Sequence, residues 1–262
     1  MKSKLPLLHW CLWQFFILLT ALLCTALFWK ISSSCNHFYM FWHDHGGIKE
    51  NIAKYAPLNR YGKSSFADTD RLERERIFNE IVHQINSGGD GLDRISYYDD
   101  GHQVPFLTND EIIHLQDVAN LIVKINKTIY VLIFVWIALF AVLIFYSRRV
   151  LLNKGQTGRS GWYSSLKFVL LQMILLLVIL ALAIFVYGTT EIFYLLHESV
   201  FPDNHKWFFY YQESLMSTFM QAPVLFGYIA LQIAVPAFVA MVFFLTIVRK
   251  IIMMSKIERR NL

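Results

Sequence analysis

Four stretches of this chain are apolar enough and long enough to cross a bilayer, and that restricts the fold more than any other feature. Leu5–Trp29 contains no Asp, Glu, Lys or Arg. Ile129–Phe145 is apolar apart from Tyr130, Phe168–Tyr187 apart from Gln172, and Val224–Val248 apart from Gln232 and Thr246. A membrane-crossing helix needs about 20 consecutive apolar residues. With 56% of 262 residues hydrophobic and 16% charged, both a soluble domain and a disordered chain are excluded. The pattern predicts a membrane all-α four-helix bundle, a single membrane domain over 1–262, with spans at about 9–29, 129–146, 167–187 and 224–248. The first span follows a positive stretch (Lys2, Lys4). Its apolar run exceeds the roughly 7–15 residues of a cleaved signal, and no A-x-A site follows, so it reads as a retained signal anchor. The span cores carry no Asp, Glu, Lys, Arg or His, which argues against a proton path or a charged-substrate channel.

Charge sets the orientation. Residues 1–8, 146–167 and 249–262 hold twelve Lys and Arg against one acid, Glu258, whereas 30–128 and 188–223 hold twelve against eighteen acids. The basic segments are short, and short loops are what the positive-inside rule counts. Both termini are therefore expected in the cytoplasm, with 30–128 and 188–223 extracytoplasmic. The net charge of +5 is then a matter of topology, not a footprint for nucleic acid. Arg148, Arg149, Lys154 and Arg159 fit anionic lipid. Three cysteines, Cys11, Cys24 and Cys35, give no C-x-x-C pattern, and neither a disulfide nor a structural zinc is expected.

The first outer segment is long enough for a small α+β subdomain. Asn36–His43 is aromatic and extended in character. Asp68-Thr69-Asp70 opens an amphipathic helix with Leu72, Ile77, Phe78, Ile81, Val82 and Ile85 on one side, and Ser87-Gly88-Gly89 stops it. Ile95–Tyr98, Asp100-Gly101 and Gln103-Val104 read as a hairpin, because Asp-Gly suits a type I′ turn. Thr108 and Glu111 form a capping box, Leu107 can staple against Ile112, and the helix that follows can run into the second span. In the second outer segment the third span should continue as helix to about Glu198, with Pro202 ending it. Trp207–Tyr211 is an aromatic cluster suited to the headgroup level.

Eight of nine histidines, all but His9, fall on the outer side, and His114 and His197 lie near span ends. A water-accessible base placed there could reach a lipid ester. His114 and Asp117 are i,i+3 and share a helix face, so Asp117 could fix the imidazole's tautomer or raise its protonated fraction. The plainer reading is a solvated surface histidine salt-bridged to Asp117. Other motifs do not hold. His197-Glu198 lacks the second histidine of H-E-x-x-H. His43 and His45 could share a strand face as a metal pair but lack a third ligand. Ser164-Ser-Leu-Lys167 matches S-x-x-K on the cytoplasmic side without companion motifs. No G-x-S-x-G occurs.

Phe106-Leu-Thr-x-x-Glu-x-x-His-Leu-x-Asp-Val118 resembles the lipoprotein intramolecular transacylase family. So does Leu196-His197-x-x-x-Phe201 followed by Trp207-x-Phe209 and a span near Pro223. The resemblance implies a β-rich outer cradle on four spans in the bacterial cytoplasmic membrane. The implied reaction moves the sn-2 acyl chain of a diacylglyceryl-cysteine lipoprotein to that cysteine's α-amino group, leaving a lyso-form. The implied catalytic residues are His114 and His197. Asp117 is a supporting candidate, and Trp207, His205 and Phe201 are candidates to contact substrate. Partners are the diacylated lipoprotein and phospholipids, and no cofactor or metal is expected. The chemistry suits imidazoles: an α-amino group has a pKa of about 7.7–8.0 and must lose a proton to attack, while the departing oxygen must gain one. With amine and ester on one molecule, positioning supplies much of the rest, and no protein nucleophile is needed. The rival readings are ester chemistry on another lipid, a non-catalytic membrane assembly module, and a haem bundle, which would want histidines within spans.

Overall fold

The computed structural model describes residues 4–152 and 166–257. Lys2, Lys4's predecessor in the basic N-terminal stretch, lies outside them, as do Lys154, Arg159, Ser164, Glu258, Arg259 and Arg260. The serines of the S-x-x-K motif and part of the basic cytoplasmic set therefore fall outside the described residues. The chain forms two compact units: Met1–Trp29, Thr128–Val186 and Ile233–Leu262 make one, and Lys30–Lys127 with Tyr187–Gln232 make the other.

The first unit is helical. Its chain segments belong to α1 (Lys4–Ser34), α5 (Asn109–Leu152), α6 (Leu166–Tyr187) and α9 (Val224–Ile257). All four contribute to one core: Trp13, Phe16 and Leu19 from α1, Leu139 and Leu143 from α5, Met173 from α6, and Met241, Leu245 and Val248 from α9. The Trp136 indole N–H donates to Thr20 Oγ1 at 3.0 Å, and Gln172 Nε2 donates to Gln14 Oε1 at 2.7 Å. Such pairs join helices where there is no water to bond instead. The outward faces are apolar too, with Phe134 74%, Phe185 86% and Phe243 68% exposed. A helix apolar all round wants lipid or protein on every side. Among the described residues three helices are long and apolar enough to span a membrane: Leu8–Ser34, Asn109–Phe145 and Val224–Ile251. In the second of these the charged residues Asp110, Glu111, Asp117, Lys124 and Lys127 all precede Thr128, so its uncharged apolar run begins there. The fourth apolar run forms α6, with Leu170–Ile179 as its apolar stretch.

The second unit is built around aromatic rings. Here α2 is Tyr39–His45, α3 Ile48–Tyr55, α4 Arg71–Ser87, α7 Thr189–Val200 and α8 Leu215–Met220, with strands β1 (Ser96–Asp99) and β2 (His102–Pro105). Phe219 of α8 is fully buried and meets Tyr39 at 4.9 Å, Phe106 at 5.3 Å and Phe66 at 5.7 Å between ring centroids. Tyr39 stacks on Phe78 at 3.9 Å. Every residue of α8 is buried, so its backbone needs partners, and side chains supply them: Asn51 Nδ2 donates to Thr218 O at 2.7 Å and Tyr39 OH to Phe219 O at 3.0 Å.

Local signals act as expected in several places. The Asp70 carboxylate accepts from Glu73 N at 2.7 Å to start α4, and Gly88 ends it at φ +103°. β1 and β2 pair antiparallel, Tyr98 opposite Gln103, through Asp100 and Gly101 at φ +45° and +83°, both left-handed as a type I′ turn requires.

Four expectations are corrected. The outer subdomain is not β-rich: it has one hairpin of two four-residue strands amid helices, because its buried residues recur at helical spacing, Ile48 and Ile52, then Ile77, Phe78 and Ile81. Asn36–His43 is not extended. Asn36, His37 and Phe38 turn through left-handed backbone and α2 follows. That helix buries His43 and exposes His45, so the two rings do not share a strand face. Leu72 is 70% exposed, since it lies about 140° around the helix from Ile77. The third apolar helix does not run on unbroken: Gly188, at φ +81° and ψ 155°, separates α6 from α7, in a region of backbone space open essentially to glycine alone.

Candidate active site

The site begins with how α5 starts. Thr108 N donates to Glu111 Oε2 at 2.5 Å, and Glu111 N to Thr108 Oγ1 at 3.4 Å, the reciprocal pair of a capping box. Glu111 has a second use. Its Oε1 accepts from Ser214 Oγ at 2.5 Å and from Met216 N at 3.3 Å, while Ser214 Oγ itself caps α8 by accepting from Ser217 N. One carboxylate, fully buried, thus fixes the start of α5 against the start of α8. His114 follows one turn later on α5 and is 7% exposed.

His197 comes from α7. Its Nδ1–H donates to Phe193 O at 2.9 Å, which leaves Nε2 as the basic nitrogen of the neutral ring. The centroids of His114 and His197 lie 6.0 Å apart. Phe201 sits beside both, 4.9 Å from His114 and 5.2 Å from His197. Phe193 and Trp207 flank His197 at 3.9 Å and 5.2 Å, and Phe209 lies 6.0 Å from His114.

The surroundings differ electrostatically. Burial pushes the His114 pKa down to about 4, the neighbouring His197 adds to this, and Asp117 opposes it. Burial also lowers His197, but the Phe193 carbonyl works the other way. His114 Nδ1 is buried without a hydrogen-bond partner. Such a nitrogen is costly unless something that visits the site meets it.

The structure brings together His114, His197, Phe201 and Trp207. It does not give Asp117 the expected hydrogen bond to His114: the Asp117 carboxylate accepts from His205 Nδ1 at 2.6 Å and reaches His114 only through charge. A helical i,i+3 spacing puts two residues on one face without aiming their side chains at each other, and the segment carrying His205 offers the nearer donor. Phe193, whose ring and carbonyl both hold His197, was not singled out from the sequence, although its i−4 position on the same helix was the available signal. The double use of Glu111 was missed as well. Only the Ser214-x-x-Ser217 spacing hinted at a helix start there. Among the described residues no three His, Cys, Asp or Glu side chains converge in a way that could hold a metal ion.

A family model described as lipoprotein intramolecular transacylase Lit matches residues 7–221. No curated protein matches. Among solved structures the chain is similar to the membrane integral lipoprotein intramolecular transacylase Lit from Bacillus cereus, determined in meso with a histidine-to-arginine mutation. The two are 17% identical, the match covers 94% of each chain, and the TM-score is 0.53, which shows a common fold.

Proposed function

The chain belongs to the lipoprotein intramolecular transacylase family, and from that premise we propose that it moves the sn-2 acyl chain of a diacylglyceryl-cysteine lipoprotein to the α-amino group, at the outer face of a bacterial cytoplasmic membrane crossed four times. It is a membrane enzyme. The observation that carries the reading is the pair His114 and His197, 6.0 Å apart inside an aromatic enclosure, both lowered in pKa by burial.

In the proposed reaction the α-amino nitrogen attacks the sn-2 carbonyl carbon and the oxygen becomes an oxyanion. The C–N bond forms, the bond to the glyceryl oxygen breaks, and one proton passes from nitrogen to that oxygen. No water is consumed. His197 suits the proton transfer: its Nδ1–H is held by Phe193 O, so Nε2 can take the amine proton and return it to the leaving oxygen. Each such transfer contributes typically about 10²–10⁴-fold. His114 suits a different task. A neutral imidazole can donate an N–H to the developing oxyanion, and burial holds it neutral. Phe201, Trp207 and Phe209 would keep the ester and amine in contact and water out, so that much of the barrier is met by orientation.

The test is mass spectrometry of a reporter lipoprotein from a host that makes diacyl forms, with and without this chain. An N-acyl, S-monoacylglyceryl terminus should appear with the wild type and be lost with His197→Ala and His114→Ala. An unchanged lipoprotein, with the chain folded in the membrane, would falsify the reading.

A further inference from the structure

Phe201–Phe209 has no regular secondary structure, yet three of its rings enclose the two histidines. Phe201 touches both, Trp207 lies against His197, and Phe209 lies against His114. A segment without helix or strand needs some other reason to stay in place. Phe201 N donates to His197 O at 2.9 Å, and His205 N to Pro202 O at 3.1 Å within the segment. Beyond these, among the described residues, 202–209 make one hydrogen bond to another element, His205 Nδ1–H to Asp117 Oδ2 at 2.6 Å. Ring contacts supply further attachment, Trp207 and Phe208 meeting Tyr194 of α7 at 5.5 Å and 5.7 Å between centroids. The anchor is well chosen. Asp117 stands on α5 one turn from His114, so the bond fixes the aromatic segment against the very helix that carries one of the two imidazoles.

We propose that Asp117 and His205 are positioning residues, a latch that holds the Phe201–Phe209 wall over His114 and His197 and so keeps water from the ester the enzyme acts on. The proposal rests on the transacylase reading. Its chemical reason is that water and the α-amino group compete for one acyl carbon. If water attacks, its oxygen bonds to that carbon, the bond to the sn-2 oxygen breaks, and the glyceryl oxygen takes a proton. The product is a free fatty acid and a lyso-lipoprotein with an unmodified amine. The same histidines would serve both reactions, so the outcome depends on what the enclosure admits. The side chains of Asp117 and His205 are 18% and 33% exposed, which places the latch at the rim of the enclosure and outside the reacting pair.

The experiment uses the full chain in lipid nanodiscs and compares wild type with Asp117→Ala, His205→Ala and His205→Asn. Asparagine keeps an N–H donor close to where the imidazole Nδ1–H stands. Two quantities are read: acylation of His114 by diethyl pyrocarbonate, measured by peptide mass spectrometry, and the ratio of free fatty acid to N-acyl lipoprotein. Both alanine variants should raise His114 labelling roughly three- to fivefold, the size expected for losing one partly exposed hydrogen bond. The fatty-acid ratio should rise with it, and His205→Asn should stay near wild type on both measures. A merely structural contribution would slow turnover without moving the ratio. Unchanged His114 labelling in both alanine variants overturns the latch. Labelling that rises with no change in the ratio overturns its role in excluding water. A wild-type chain that yields no N-acyl product overturns the transacylase reading, while the labelling still decides the latch.

Discussion

Three buried imidazoles of the second unit are lowered in pKa, each chiefly by burial. His37 is pushed down to about 4 by burial, with Nδ1 2.9 Å from Ser32 Oγ. His43 is lowered mainly by burial, against the pull of Asp44; its Nδ1–H donates to Asp44 at 2.7 Å, and its Nε2 accepts from Arg74 at 3.3 Å. A second proton on that ring would face the guanidinium. His114 is lowered by burial among aromatic rings. In the unfolded chain each has a pKa of about 6.5. A histidine depressed on folding contributes its full stability above that value and loses it as pH falls toward the folded value, because there the unfolded state binds more protons. At about pH 5.5, His37 and His114 should each cost the fold on the order of 1 kcal/mol. The melting temperature in detergent should therefore be flat from about pH 8 to 7 and fall steadily from about pH 6.5 to 4.5. A flat curve across the lower interval would mean that these rings take up protons without penalty.

Among the elements, α8 is tied to residues distant in sequence. Its six residues are all buried, and its first turn is tied by Ser214 and Met216 to Glu111, 103 and 105 positions away. Glu111→Ala would leave the Thr108 amide, the Ser214 hydroxyl and the Met216 amide without their acceptor. At about 1–3 kcal/mol for each buried donor, the loss should reach several kcal/mol. Thr108→Ala, which removes only the cap, should cost about 1 kcal/mol. Chemical or thermal unfolding of the two variants should show that order; equal losses would mean that Glu111 does nothing beyond capping α5. The Thr108–Glu111 box, the Asp70 cap and the Asp100-Gly101 turn are codes written within four residues, and each appears as read. Asn36–His43 misled because aromatic residues suit strands and buried helices alike; only the left-handed turn before Tyr39 and the packing of Tyr39 on Phe78 decide for a helix. His114 and His197 were legible from their motifs and from their place near span ends. The partner of Asp117 was not, since it lies 88 residues away in a segment with no periodicity to read.

For the molecule as a whole, charge is expected to set the orientation. Eighteen of nineteen acids lie in the segments read as outer, and the short basic segments read as cytoplasmic hold the remaining one. Moving the outer segments to the cytoplasm would also place the histidines away from a lipoprotein's modified N-terminus, so orientation and function stand together. Cys35 offers a direct test. It is exposed and follows the last residue of α1, on the side expected to be extracytoplasmic, whereas Cys11 and Cys24 lie within the first apolar run. A thiol reacts as its thiolate, which forms in water and not in hydrocarbon. A membrane-impermeant maleimide should therefore label spheroplasts at Cys35 without permeabilisation. The label should vanish in Cys35→Ser and should not increase when the membrane is opened. If labelling requires permeabilisation, the second unit faces the cytoplasm. The two imidazoles would then stand on the wrong side for a lipoprotein amine, and an ester on the inner leaflet would have to be their substrate.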